Sequence, residues 1–185
     1  MGVRNCEELG HNLQKIMNRL LANQNLLKLL YYTDKDPLSH EDFKKEEIRE
    51  KFFEKLIRII PKVGPKETAN SIVVLRVESG DINDNDEFRD FVIKVESFVP
   101  MTQWIIKDSN LRPFAILGEI QKSLSGKTIN GLGKIVGGDF ELNFVTEEIS
   151  CYEQGFMITA YDSFLCLSTV ADTKKELLCI SSIFK

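Results

Sequence analysis

Gly126-Lys127-Thr128 carries the residue types that end a phosphate-binding loop, inside a stretch, Ser123–Phe140, that holds five of the chain's eleven glycines. Such a loop cradles phosphate on backbone N–H groups where a strand gives way to a helix, and it needs an earlier glycine five positions before the second one. Gln121 stands there. The apolar periodicity also closes a helix at Gly126 instead of opening one, so the dipole end on offer is the negative one. The stretch therefore reads as a corner: Gly126 stops a helix, Gly131 and Gly133 reverse the chain, and Gly137-Gly138 start or kink a strand. Gly131-x-Gly133 lacks the third glycine of a dinucleotide fingerprint, and strands follow it.

Asp81, Asn83 and Asn85 match the alternating ligand positions of a calcium loop, within the acidic run Asp81-Ile82-Asn83-Asp84-Asn85-Asp86-Glu87. That loop needs glycine at its sixth position and a bidentate glutamate at its twelfth. Asp86 and Val92 occupy them, so a solvated hairpin tip is the better account. His11 and His40 are the only histidines, and neither sits in a zinc or catalytic spacing. The cysteines Cys6, Cys151, Cys166 and Cys179 lie far apart with no CxxC pair, the usage of reduced, partly buried thiols. Glu46-Glu47 and Glu147-Glu148 are neighbours that point to different sides of their elements. No catalytic residue, cofactor or metal site is expected, and the chain is not expected to be an enzyme.

A net charge of −4 and a pI near 5.4 give no basic field to grip nucleic acid. No apolar run reaches the roughly 18 residues of a membrane span, and Met1–Glu8 has no signal-peptide segment. Gly2 lacks the Ser or Thr that myristoylation wants at position 6, where Cys6 stands.

The elements that position these residues follow from periodicity. Leu9, Leu13, Ile16, Met17, Leu20, Leu21, Leu27, Leu30 and Tyr31 recur at helical steps, predicting one amphipathic helix over 7–32, stopped by Asp36-Pro37. Ser39-His40-Glu41-Asp42 is placed to cap a charged helix reaching Lys55, and Leu56–Ile60 reads as a strand. Ser71–Glu78, with Val73, Leu75 and Val77 on one face, and Phe88–Val99, with Phe91, Ile93 and Val95 on one face, predict an antiparallel hairpin around the acidic run. Asp108-Ser109-Asn110 offers an N-cap to a second helix marked by Leu111, Phe114, Ala115, Leu117, Ile120 and Leu124. Two more alternating strands carry Phe140, Leu142 and Phe144, then Phe156, Ile158 and Ala160. Phe98–Ile106 holds the only tryptophan, Trp104, in an apolar connection that reads as core or as subunit interface. The expected fold is α+β: an antiparallel sheet of about four or more strands packed by a long N-terminal helix and a second central helix. One domain is expected over 1–162, its helical region at about 5–55, with 163–185 as a C-terminal extension.

This order and texture resemble phage neck and tail-completion proteins, including tail terminators. The stretches that carry the likeness are "NLLKLLYYTDKDPL", "RIIPKVG", "SIVVLRVESG", "FRDFVIKVESFVP" and "NLRPFAILGEIQKSLSGKTINGLGKIVGGDFELNFVTEEISCYEQGFMITAYD". The resemblance implies a structural virion protein forming a homo-oligomeric ring, often a hexamer, at the head-proximal end of a tail. Its implied partners are the tail tube, possibly sheath proteins, and head-closure or neck proteins; its implied place is the virion, after assembly in the host cytoplasm. Genomic DNA would pass through the ring without sequence-specific binding, and no membrane is involved. Asp81, Asn83, Asp84, Asn85, Asp86 and Glu87 become a candidate contact or lumen loop, and Trp104 a candidate interface residue. The alternatives are a head-closure or adaptor ring subunit, or a small cytoplasmic binding domain.

The corner reading makes a direct prediction. Lys127→Ala leaves folding and assembly intact, whereas a bulky residue at Gly131 or Gly133 lowers the thermal midpoint; a phosphate site at Lys127 would reverse that order.

Overall fold

The structure, a computed structural model, describes residues 3–59, 69–82, 88–129 and 133–161. Its frame is four long strands, β2 (Ile72–Ile82), β3 (Phe88–Pro100), β5 (Gly133–Val145) and β6 (Ile149–Tyr161), flanked by the two-residue strands β1 (Ile57–Arg58) and β4 (Thr128–Ile129). They form one sheet in the order β1-β2-β3-β6-β5-β4. Every pairing is antiparallel except β1 with β2, so the sheet is mixed where an antiparallel one was expected. The cause lies in the chain's path: β1 enters from a helix at the same end from which β2 starts.

Val73, Leu75, Ile93, Val95, Phe156 and Ile158 are buried on one face, as the alternation predicts. Against them pack α1 (Val3–Leu21), α2 (Gln24–Tyr31) and α4 (Arg112–Leu124), with α3 (Lys45–Phe52) at the side. Each large aliphatic side chain so buried contributes about 1.5–3 kcal/mol of transfer free energy. Among the described residues no helix is long and apolar enough to cross a membrane.

The single helix expected over 7–32 is two. Asn23 ends the first and caps the second, its Oδ1 accepting the Leu26 N–H at 3.1 Å. Its Nδ2 donates to Glu119 O at 3.2 Å and to Ser123 Oγ at 2.8 Å, both on α4. A tertiary anchor thus breaks a helix whose local periodicity would run on. The charged helix is also shorter than expected: Pro37–Ser39 forms a 3-10 turn, and the cap comes later, where Glu47 Oε2 accepts the Lys44 N–H. Asp108-Ser109-Asn110 does not cap α4; Asp108 and Ser109 both take positive φ (59° and 58°), and Leu111 is the N-cap position.

At the corner, α4 ends as read. Gly126 has φ +72°, its N–H donates to Ile135 O, and the Lys127 N–H donates to Leu124 O. Those amides are therefore spent on the turn. Gly133, at φ +69°, opens β5. A Cβ on Gly137 would sit 2.9 Å from Ser125 Oγ, and the register of β5 shifts between Gly137 and Phe140, the close approach and bulge that the paired glycines suggested.

The tie between helices and sheet is Arg112, fully buried at the first position of α4. Its Nε donates to Gln103 O at 2.9 Å, one Nη to Leu29 O and Tyr32 O at 2.7 and 2.6 Å, and the other to Asp34 O at 2.6 Å. Its backbone N–H donates to Trp104 O at 2.8 Å. Burial lowers the guanidinium pKa, opposed by the nearby Asp34 charge. Arg112→Met leaves four carbonyls without their donor, those of Leu29 and Gln103 buried, and is expected to cost about 3 kcal/mol. Arg112→Lys, a point donor without the planar fork, recovers only part of that. Urea midpoints of the three proteins check both; a midpoint for Arg112→Met within error of wild type refutes the account.

Candidate interaction surface

The helical layer is too short for the sheet it covers. β5 and β6 have 13 residues each, about 43 Å of strand; α4 also has 13, about 20 Å of helix. Beyond the first turn of α4, helix-side positions of β5 lie open. Phe140 is 54% and Leu142 52% exposed there, with Phe114 of α4 at 43% and Ile105, on the β3–α4 connection, at 62%. The rings are organised: Phe114 meets Phe140 at 6.2 Å and Tyr152 at 5.3 Å, and Trp104 lies 6.4 Å from Tyr152. Trp104 is half-buried and fixed by its Nε1–H donating to Ser150 Oγ at 2.8 Å. Apolar side chains at this density on a surface mark a contact site.

Alternation places Phe140 and Leu142 on the helix side, but that side is bare where they stand, so inward does not mean buried. A register shift between Leu142 and Phe144 also ends the alternation that grouped Phe144 with them.

The opposite face of the sheet carries charge. Arg76 on β2 donates to Glu96 Oε1 at 3.1 Å and to Glu153 Oε2 at 2.7 Å. Lys94 pairs with Glu153 Oε1 and with Glu78 at 2.9 Å, and lies 3.9 Å from Glu141. Asn143 Nδ2 donates to Glu96 at 3.3 Å and reaches Glu153 at 3.5 Å. Glu96 and Glu153 are buried, at 8% and 4% exposure. Burial pulls the Glu153 carboxyl up, but its bonds to Lys94 and Arg76 outweigh that and hold it below the usual carboxylate range. For Glu96 burial wins over Arg76 and the pKa is raised. Two carboxylates on adjacent strands, divided by environment, staple four strands together.

Neither histidine enters a reactive arrangement. His11 is exposed on α1. His40 stacks on Tyr32 at 3.7 Å with Nε2 2.8 Å from Asp34 Oδ2. For Asp34 burial acts upward, and hydrogen bonds from His40 and the Asp36 N–H bring the pKa below its ordinary value. Burial pushes the Cys151 thiol up to about 12, with Glu96 and Glu153 adding to it, so it is a poor nucleophile. Among the described residues no three His, Cys, Asp or Glu come together to hold a metal ion. An open groove of about 700 Å³ between α1, α2 and α3 is lined by Gln14, Asn18, Leu21, Gln24, Phe43 and Arg49 among others, with no histidine, cysteine or carboxylate.

Of the residues singled out by sequence, Trp104 lies beside the exposed aromatic surface. Asp81 lies at the far end of the β2–β3 hairpin, paired with Asp90; the run of β3 from Asp90 to Pro100, about 33 Å, separates the two. Asn83, Asp84, Asn85, Asp86 and Glu87 lie outside the described residues, as does 163–185. Arg112, Phe114, Phe140 and Leu142 were not marked as site residues. Phe140 and Leu142 read as ordinary core from alternation, and the Arg-Pro pair opening α4 gave no hint of four carbonyls.

A family model described as YomW matches residues 23–155, from the cap of α2 to the middle of β6. It spans well over half of the chain, which therefore belongs to the YomW family. That name is of a phage-derived protein and associates the chain with phage. A search of curated proteins found no match.

The charged face yields a test with a definite sign. The contribution of Glu153 is present above its unfolded pKa and lost as pH falls through its depressed folded value; that of Glu96 runs the other way, lost as pH rises through its raised one. Glu153→Gln is expected to cost about 2–3 kcal/mol at pH 7 by removing the buried carboxylate that Arg76 and Lys94 share, leaving Arg76 with Glu96 and Lys94 with Glu78. Its deficit against wild type should shrink below about pH 4. Glu96→Gln, which removes a buried charge and keeps an acceptor for Arg76, should cost far less at pH 7. Chemical denaturation at both pH values decides it, and equal losses for the two variants would sink the assignment.

Proposed function

We propose that this YomW-family chain is a structural virion protein, a subunit of a homo-oligomeric ring at the head-proximal end of a phage tail that caps the tail tube and joins tail to head. The observation that carries the reading is the exposed cluster of Phe114, Phe140, Leu142 and Ile105 beside Tyr152 and Trp104. A monomer gains nothing by leaving such a cluster wet, whereas a ring subunit buries it against its neighbour. Charge agrees with this role: an acidic subunit lets DNA phosphates pass without holding them. The residues with altered pKa are held in structural bonds, which favours an assembly role over catalysis.

Light scattering and negative-stain imaging of the purified protein, and of the particle that contains it, test the reading. Wild type should form a closed ring, or occupy one at the tail's head-proximal end. Phe140→Asp with Leu142→Asp should keep the circular-dichroism spectrum and lose assembly by at least tenfold in subunit affinity. A wild-type monomer at all concentrations that is absent from the tail end overturns it.

A further inference from the structure

The sheet ends in two stubs. β1 pairs with β2 only at Val73 and Val74; β4 pairs with β5 at Gly133 and Lys134, and the turn before it bonds Ile135, whose N–H donates to Lys127 O and whose carbonyl accepts the Gly126 N–H. Among the described residues, the outer edge of β2 is therefore unpaired from Leu75 to Ile82, and that of β5 from Val136 to Val145. Val136 and every residue from Gly138 to Asn143 are exposed on β5, as are Glu78 and Gly80 on β2. Unpaired rows of N–H and C=O groups are templates for another strand.

Three features make the two edges fit each other. They stand on opposite sides of one sheet. Following the pairings from β2 through β3 and β6, β5 runs opposite to β2; repeating the subunit around a ring keeps strand sense, so β5 of one copy meets β2 of the next antiparallel. The stubs also lie at opposite ends. β1 blocks β2 at its start, and β4 blocks β5 at its start, which is the other end of the sheet. Each open stretch faces a notch of its own length: eight residues on β2, and ten on β5 that lose length to its two register shifts.

We infer that copies of this chain join edge to edge, the open edge of β2 (Leu75–Ile82) in one adding antiparallel to the open edge of β5 (Val136–Val145) in the next, to make one sheet continuous across subunits. The occupant is a second copy because each edge supplies the strand sense and the gap that the other lacks. The contact is head-to-tail, so it propagates and closes by rotation. It also sets the helical layer of one copy beside the bare Phe140 and Leu142 of its neighbour. This inference rests on the ring reading for closure, while the contact itself stands on the sheet.

Disulfide trapping tests it. Ser79, paired with Val92, and Glu141, paired with Glu153, lie on the charged side of the sheet near the middle of each open stretch. In full-length chain with Cys6, Cys166 and Cys179 changed to serine, and the buried Cys151 retained, Ser79→Cys and Glu141→Cys are introduced together and singly, with Asp139→Cys and Asn143→Cys as register neighbours. Mild oxidation should give a ladder of covalent oligomers in a double variant and in an equimolar mixture of singles a dimer, with at least tenfold less in either single alone. Singles that cross-link as well as the double indicate a two-fold contact and overturn the inference. A ring by imaging with no ladder at any of the three β5 positions overturns the edge contact and leaves the ring reading intact. A ladder whose products are open filaments supports the edge contact and overturns closure.

Discussion

Arg112 is the interaction on which the layers depend. A guanidinium with no exposed surface and, among the described residues, no carboxylate within bonding distance is unusual, since a buried charge normally needs a counter-charge. Here four carbonyls take that part. Leu29 O and Tyr32 O belong to the end of α2, where unsatisfied carbonyls and the negative end of the helix dipole make a site for a cation. Gln103 O and the Trp104 carbonyl that receives the Arg112 N–H belong to the turn leaving β3. One side chain thereby fixes the exit of α2, the turn after β3 and the start of α4. The position of Trp104, and with it the aromatic surface next to Phe114, follows from that knot.

That knot also explains which parts of the molecule could be read from sequence. Strand faces were legible: Val73, Leu75, Ile93, Val95, Phe156 and Ile158 are all buried, because period-two patterning reports a local property of the backbone. Gly126 and the paired Gly137-Gly138 were legible because positive φ and close approach favour one residue type. What was not legible depends on contacts far apart in the chain. Asn23 breaks a helix by reaching α4 about a hundred residues later. Glu96, which alternation places outward opposite Ile93 and Val95, is buried with partners on β2 and β5. Phe140 and Leu142 read as core, and only the ratio of strand length to helix length exposes them.

The two faces of the sheet divide the work of holding it together. Aliphatic side chains close one face against the helices, while ion pairs and amide bonds tie β2, β3, β5 and β6 across the other. Cross-strand charges on neighbouring positions contribute modestly one by one, yet with Glu153 nearly inaccessible the removal of a single member is costly. The charged face therefore ties the four long strands together with, among the described residues, no second helical layer over it.

A sheet with open edges is a hazard, since any strand of suitable pattern can add to it. Both open edges here carry an irregularity: β2 shifts register between Val77 and Ser79, and β5 between Gly137 and Phe140 and again between Leu142 and Phe144. Bulges increase local twist and break the even spacing of edge hydrogen bonds, so a flat foreign strand fits poorly. A second copy of the chain brings a partner bulged in its turn and stopped at the right place by its own stub. Specificity at such an edge comes from what it excludes as much as from what it binds. In the proposed edge contact, the same irregularities that turn away a foreign strand would select the one neighbour whose edge has the matching gap.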